Sequence, residues 1–212
     1  MASMSWAEAP DRSRIAILGW GSLLWEAAPE FDRWHDPWRF DGPTLKLEFS
    51  RVSSSRKGVL TLVIDPQHGA PNPVAYCTSR HAILDKAIAD LQRREGTTQG
   101  NIGCISLAKS DHRYRDPASG EAILAWATMK GLAAVVWTDL PSNFKEKTGQ
   151  VFSVAAAINY LRTLDPTVKT KALEYIRGTP QFIHTTLRKA LETAPWFAAR
   201  AGAECQSDRR TK

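Results

Sequence analysis

The stretch Ser79-Arg-His-Ala-Ile-Leu-Asp-Lys-Ala-Ile-Ala-Asp-Leu-Gln-Arg-Arg-Glu95-Gly96 decides the fold class, because it is one helical signal set among strand signals. Ser79 offers an N-cap hydroxyl for a helix from about Arg80 to Glu95, and Gly96 offers a left-handed stop. Leu84, Ile88 and Leu91 step by four and three residues, the spacing of one buried helix face. On either side the chain runs apolar or alternates over short segments instead. These are Ile15–Leu18, Leu45–Phe49, Val59–Ile64 and Val74–Cys77 before it, and Ile102–Leu107, Ala122–Trp126 and Ala133–Trp137 after it. Turn signals punctuate them at Asp41-Gly-Pro43, Asp65-Pro66, Gly69–Pro73 and Asp116-Pro-Ala-Ser-Gly120.

The last third changes character. Pro141-Ser142 precedes a long helical stretch through Leu164, with Val151, Val154, Ala155, Ile158 and Leu161 on one stripe. Val168–Arg177 and Phe182–Leu191 follow as further amphipathic helices, separated by Gly178-Thr-Pro180. Strands first, one embedded helix and a helical C-terminal extension predict an α+β fold rather than a doubly wound sheet. No linker, repeat or low-complexity block interrupts the chain, which predicts one domain over residues 15–200, with loose tails at 1–14 and 201–212.

Composition narrows the function classes. Hydrophobic residues make up 43% of the 212 and charged residues 24%, which excludes disorder, collagen and coiled coil. No window reaches the roughly 18 uncharged apolar residues of a membrane span. The segment Met1-Ala-Ser-Met-Ser-Trp6 has no basic start followed by an apolar run, so a cytoplasmic protein is expected, with no membrane partner. The net charge of +6 is interleaved with acids rather than gathered into a stripe with aromatics. That argues against nucleic acid and suits small anionic substrates. Cys77, Cys104 and Cys205 form no CxxC pair and have no histidine at ligand spacing, so no metal site is expected. Cys77 and Cys104 sit in apolar runs as small buried hydrophobes, and the five histidines are expected mostly at the surface.

Three segments hold candidate chemistry. In Ile17-Leu-Gly-Trp-Gly-Ser-Leu-Leu-Trp25 a strand ends in a glycine turn followed by a serine. Leu24 stands where a dinucleotide fingerprint or a nucleophile elbow has its glycine, so the turn is either an anion-binding nest or plain strand-end geometry. In the central helix, four residues beyond Leu91 lies Glu95, so a carboxylate continues the apolar stripe while Asp85 and Asp90 fall on the polar side. Desolvation and the helix C-terminus both oppose its charge, which suits a general base; the other reading is a carboxylate held by Arg93, Arg94 or Arg56 at the rim of the core. Third, Arg51-Val-Ser-Ser-Ser-Arg-Lys-Gly58 is either a carboxylate-holding segment or a solvated hairpin loop.

Taken together and in this order, the segments resemble the γ-glutamyl cyclotransferase-like superfamily, most closely its ChaC-like branch. Leu18-Gly-Trp-Gly-Ser-Leu-Leu-Trp25 is similar to that branch's phenylalanine-glycine-tyrosine-glycine-serine-leucine-isoleucine-tryptophan signature, with Trp20 in place of the tyrosine. Phe49–Gly58 falls where the branch has a Ser- and Arg-containing segment, and Val74–Cys77 matches the strand before the catalytic helix. Ala89-Asp-Leu-Gln-Arg-Arg-Glu95 resembles the helix end that supplies the catalytic glutamate, and Pro141-Ser-Asn-Phe144 the late Pro-Ser segment. The resemblance covers roughly residues 15 to 165 and leaves 166–200 without a counterpart.

The resemblance implies a small closed mixed β-barrel flanked by helices. It implies a reaction in which a γ-glutamyl compound cyclises to 5-oxoproline and releases its amine, with no metal and no organic cofactor. Glu95 would be the catalytic base. Trp20, Gly21, Ser22, Leu23, Ser54 and Arg56 would bind the γ-glutamyl substrate, its α-carboxylate against the N–H groups of Gly21, Ser22 and Leu23. A non-catalytic module that keeps the same cavity for an amino-acid-like ligand is the alternative.

Overall fold

The computed structural model describes residues 14–109 and 111–197. The expected tails at 1–14 and 201–212 fall outside them, Arg14 excepted. Two compact units emerge, one of residues 14–45 and 73–140, the other of residues 46–72 and 141–197.

The first unit is built on β1 (Ile15–Gly19), β5 (Ala75–Thr78), β6 (Ile102–Ser106), β7 (Asp111–Arg113) and β8 (Ala134–Thr138). They form one five-stranded mixed sheet in the order β5-β1-β8-β6-β7. Only the β1–β8 pair is parallel, with Ile15 opposite Ala134 and Ile17 opposite Val136. Every residue of β1 is buried, which is why it reads as a continuous apolar run. The helix α2 (Leu84–Glu95) lays Ala87, Ile88 and Leu91 against Ile15, Ile17, Ile102, Cys104 and Val136. The short helix α1 (Pro29–Asp32) adds Phe31 to the same core.

Ala122–Trp126 is not a strand. It lies inside α3 (Pro117–Met129), where the Asp116 carboxylate accepts a hydrogen bond from Ser119 N at 2.8 Å and Pro117 takes the first helical position. Asp-Pro is here a helix start rather than a turn.

The second unit carries β2 (Thr44–Ser53), β3 (Val59–Ile64) and β4 (Ala70–Pro73) as a separate three-stranded sheet in the order β3-β2-β4. A bulge between Glu48 and Arg51 shifts the β2–β3 register. Its helices are α4 (Phe144–Thr148), α5 (Val154–Thr163), α6 (Pro166–Gly178) and α7 (Thr186–Glu192). The single helix expected from Pro141 to Leu164 is two, broken at Gly149, whose φ of +74° ends α4. Val151 is consequently outside any helix and 62% exposed, and the buried face of α5 is Ala157 and Leu161.

The α+β character therefore stands, while the closed mixed β-barrel does not: among the described residues no sheet closes on itself. The reason lies in who pairs with whom. The outer edge of β5 is taken by the irregular segment after α1, through Asp36 N to Thr78 O at 2.9 Å, Arg39 N to Tyr76 O at 2.7 Å and Tyr76 N to Arg39 O at 2.8 Å. The opposite edge is β7, a strand of three residues with none buried. The strands that would have to bridge those edges, β2, β3 and β4, pair with one another. No helix of the described residues is long and apolar enough to cross a membrane.

Candidate functional site

The glycine turn and the end of α2 meet in the first unit. After β1 the chain makes a 3-10 turn at Ser22–Leu24, closed by Leu24 N to Gly21 O at 2.9 Å and Glu26 N to Ser22 O at 2.8 Å. Trp20, Ser22 and Leu23 are all buried. Gly21 has φ −115° and ψ −146°, so it does not use the positive φ that favours glycine. Gly19 is different: a Cβ there would stand 2.9 Å from two ring atoms of Trp38. Close approach of the indole, not φ, explains that glycine.

At the other end of the contact, α2 stops in a Schellman closure. Gly96 adopts φ +57°, Gly96 N donates to Arg93 O and Thr97 N donates to Gln92 O, each at 3.2 Å. That stop fixes the last turn, on which Arg94 and Glu95 sit. Arg94 Nη2 donates to the carbonyls of Glu26 at 2.9 Å and Ser22 at 3.4 Å, clamping the helix end onto the turn. Arg94 Nη1 lies 3.9 Å from Glu95 Oε1, and their side chains are 12% and 20% exposed. The carboxylate is thus largely shielded from water and has a guanidinium beside it.

Ser54 and Arg56 belong to the second unit. Of the segment Arg51–Gly58 only the last five residues form the expected loop, since β2 runs on through Ser53. The hairpin closes through Gly58 N to Ser53 O at 2.8 Å, with Lys57 at φ +56° and Gly58 at φ +100°. The Arg56 guanidinium lies 5.3 Å from the Tyr175 ring centroid on α6. The Pro-Ser segment is fastened beside it in the same unit. Asn143 accepts from Val52 N at 2.7 Å and donates to Val52 O at 3.2 Å, and Ser142 Oγ donates to Ser50 O at 2.9 Å. Trp20 to Leu23 and Glu95 are therefore brought together with Arg94, while Ser54 and Arg56 are organised in the other unit with Tyr175.

Asp90, two histidines and Ser79 depart from the sequence reading. Asp90, expected on the polar side of α2, is 4% exposed. Its Oδ1 accepts from Arg93 Nη1 at 3.0 Å and its Oδ2 stands 3.6 Å from His81 Nε2. With Arg93, Arg94, Glu26 and Phe31 it lines a cleft of about 280 Å³. The packing of α1 against that side of α2 buries it, a tertiary effect invisible in helical spacing. His81, expected at the surface, stacks on Trp34 with centroids 4.6 Å apart, and His35 is 8% exposed. Ser79, expected to cap α2, instead accepts from His81 N at 3.1 Å, and the helix begins at Leu84. Among the described residues no group of three or more histidine, cysteine, aspartate or glutamate side chains is arranged to hold a metal ion. No protein-family model, curated protein or solved structure matches the chain.

Proposed function

We propose that this protein is a γ-glutamyl cyclotransferase-like enzyme, converting a γ-glutamyl compound to 5-oxoproline and a free amine. The observation that carries the reading is the Arg94 clamp, which joins the Arg-Glu helix end to the Gly-Ser turn, the two segments on which the resemblance mainly rests.

In this chemistry the substrate's α-amine attacks its own γ-carbonyl carbon. A C–N bond forms to close the five-membered ring, and the bond to the departing amine breaks. The attacking ammonium must lose one proton before attack and a second as the ring closes; Glu95 accepts the first and returns it to the leaving nitrogen, and the second is taken up by the released amine, which departs as its ammonium. A carboxylate 20% exposed is shielded enough to act without bulk water, yet reachable. The buried turn at Gly21, Ser22 and Leu23 orients the substrate through its α-carboxylate. Holding amine and carbonyl in register supplies much of the acceleration for a ring of this size. Cys77 and Cys104, free and buried, support a reducing compartment, and we place the protein in the cytoplasm.

The alternative is a module that binds a γ-glutamyl or other amino-acid-like ligand without chemistry. The 3.9 Å approach of Arg94 to Glu95 favours it, because the same geometry serves a structural ion pair. A panel of glutathione, γ-glutamyl amino acids and γ-glutamylamines, assayed for 5-oxoproline, separates them. The enzyme reading expects release from at least one compound; binding without release from any of them overturns it.

A further inference from the structure

We propose that a cavity in the second unit is a binding site for a small organic anion, an aromatic or aliphatic body carrying a carboxylate or phosphate head. The cavity, of about 450 Å³, is lined by Arg162, Pro166, Lys169, Leu173 and Trp196, and its size falls in the range of small-molecule sites.

Its walls follow from the helices. Pro166, Lys169 and Leu173 step by three and four residues and so share one face of α6, while Arg162 comes from the last turn of α5. Leu173 is 2% exposed and gives the cavity an apolar side, continued by Pro166 and the Trp196 ring. The Arg162 guanidinium sits 5.6 Å from the centroid of that ring.

The polar side chains of the lining, Arg162, Lys169 and Trp196, are all donors. Trp196 Nε1 is buried and has no hydrogen-bond partner among the described residues, and its resonance reports on the ring that forms this wall. Neither Arg162 nor Lys169 forms an ion pair with another described residue. The neighbouring acid, Asp165, is occupied in capping α6, where its Oδ1 accepts from Thr167 N at 2.9 Å. The two cations call for negative charge in the occupant, and Leu173, Pro166 and the indole call for an apolar body. A cation is excluded by charge, and a sugar by the shortage of acceptors and the apolar walls. This site is independent of the cyclotransferase reading.

The test uses the full-length ¹⁵N-labelled protein. The Trp196 indole N–H resonance is identified among the eight tryptophans by its loss in Trp196→Phe, then followed during titration with 3-phenylpropionate, phenyl phosphate and neutral 3-phenylpropan-1-ol. At least one anion is expected to shift that resonance and to bind roughly tenfold more tightly than the alcohol. The relative response of carboxylate and phosphate identifies the head group. In Arg162→Gln/Lys169→Gln, with the remaining spectrum unchanged to show an intact fold, the anion should fall to the alcohol's affinity. An alcohol that binds as well as both anions, anion binding unaffected by the double substitution, or no shift with any probe would overturn the proposal.

Discussion

Arg94 Nη2 donates to the carbonyl of Glu26 at 2.9 Å, so the side chain immediately before Glu95 is spent on fastening the end of α2 to the turn after β1. The position of the glutamate is therefore set twice, by the Gly96 stop behind it and by the arginine clamp beside it. The backbone from which the carboxylate projects is fixed on both sides.

The two glycines flanking Trp20 should respond differently. Gly19→Ala places a methyl 2.9 Å from Trp38 ring atoms and 3.1 Å from Leu24, an overpacking expected to cost about 1–3 kcal/mol. Gly21→Val meets no positive-φ strain at φ −115°, so the fold should survive while ligand binding is lost, as the branched side chain obstructs the turn's N–H groups. Thermal melts and ligand titration on both variants check this; unchanged affinity in folded Gly21→Val would leave the turn a purely structural feature.

A second prediction concerns Glu48, which no pattern singled out. Its side chain is fully buried and accepts from Phe49 N at 2.8 Å, from Thr186 N at 3.0 Å, from Leu187 N at 3.3 Å and from Thr186 Oγ1. It thereby caps α7 from β2. Glu48→Ala strands these donors, and a loss of at least about 3 kcal/mol is expected, with a midpoint lowered by roughly 6–12 °C. A midpoint within a degree of the parent would show that the capping contributes nothing.

Thiol reagents should leave activity intact. Burial, with a smaller contribution from the Asp36 carboxylate, pushes the Cys77 thiol far above its ordinary range. Burial likewise raises the Cys104 thiol, against the pull of Arg113. Neither gives useful thiolate near neutrality. Treatment with iodoacetamide, followed by mass spectrometry, should find both unmodified and 5-oxoproline release unchanged; rapid labelling of either with loss of turnover would contradict this.

The sequence made some of this legible and hid the rest for definite reasons. The buried stripe of α2, the strands β1, β3 and β6 and the helical last third follow from spacing and composition. Ala122–Trp126 misled because nearly every position is apolar, so neither period is visible; Asp116, Pro117 and Ser119 were the usable signal. Gly149 broke a helix that Val151 extended only in pattern. Asp90 looked polar-faced because the packing of α1 is a non-local fact. The barrel failed for the same kind of reason, since no local pattern states that segment 36–42 will occupy the edge of β5. For the candidate site, the Gly-Ser turn and Glu95 stood out in the sequence, but the clamp did not, because Arg94 was weighed there only as a partner for Glu95 and its bonds to the Ser22 and Glu26 carbonyls are non-local.

The most direct measurement is made on Glu95→Gln, with thermal midpoint, substrate affinity and 5-oxoproline release taken from one preparation. Glutamine keeps the volume and hydrogen-bonding capacity of the side chain but does not accept the ammonium proton. The account predicts a folded protein with near-parental affinity and turnover lowered by roughly 10²-fold to 10⁴-fold. A variant that loses stability while keeping near-parental turnover would make Glu95 the partner of Arg94 and nothing more, and would contradict its role as the base.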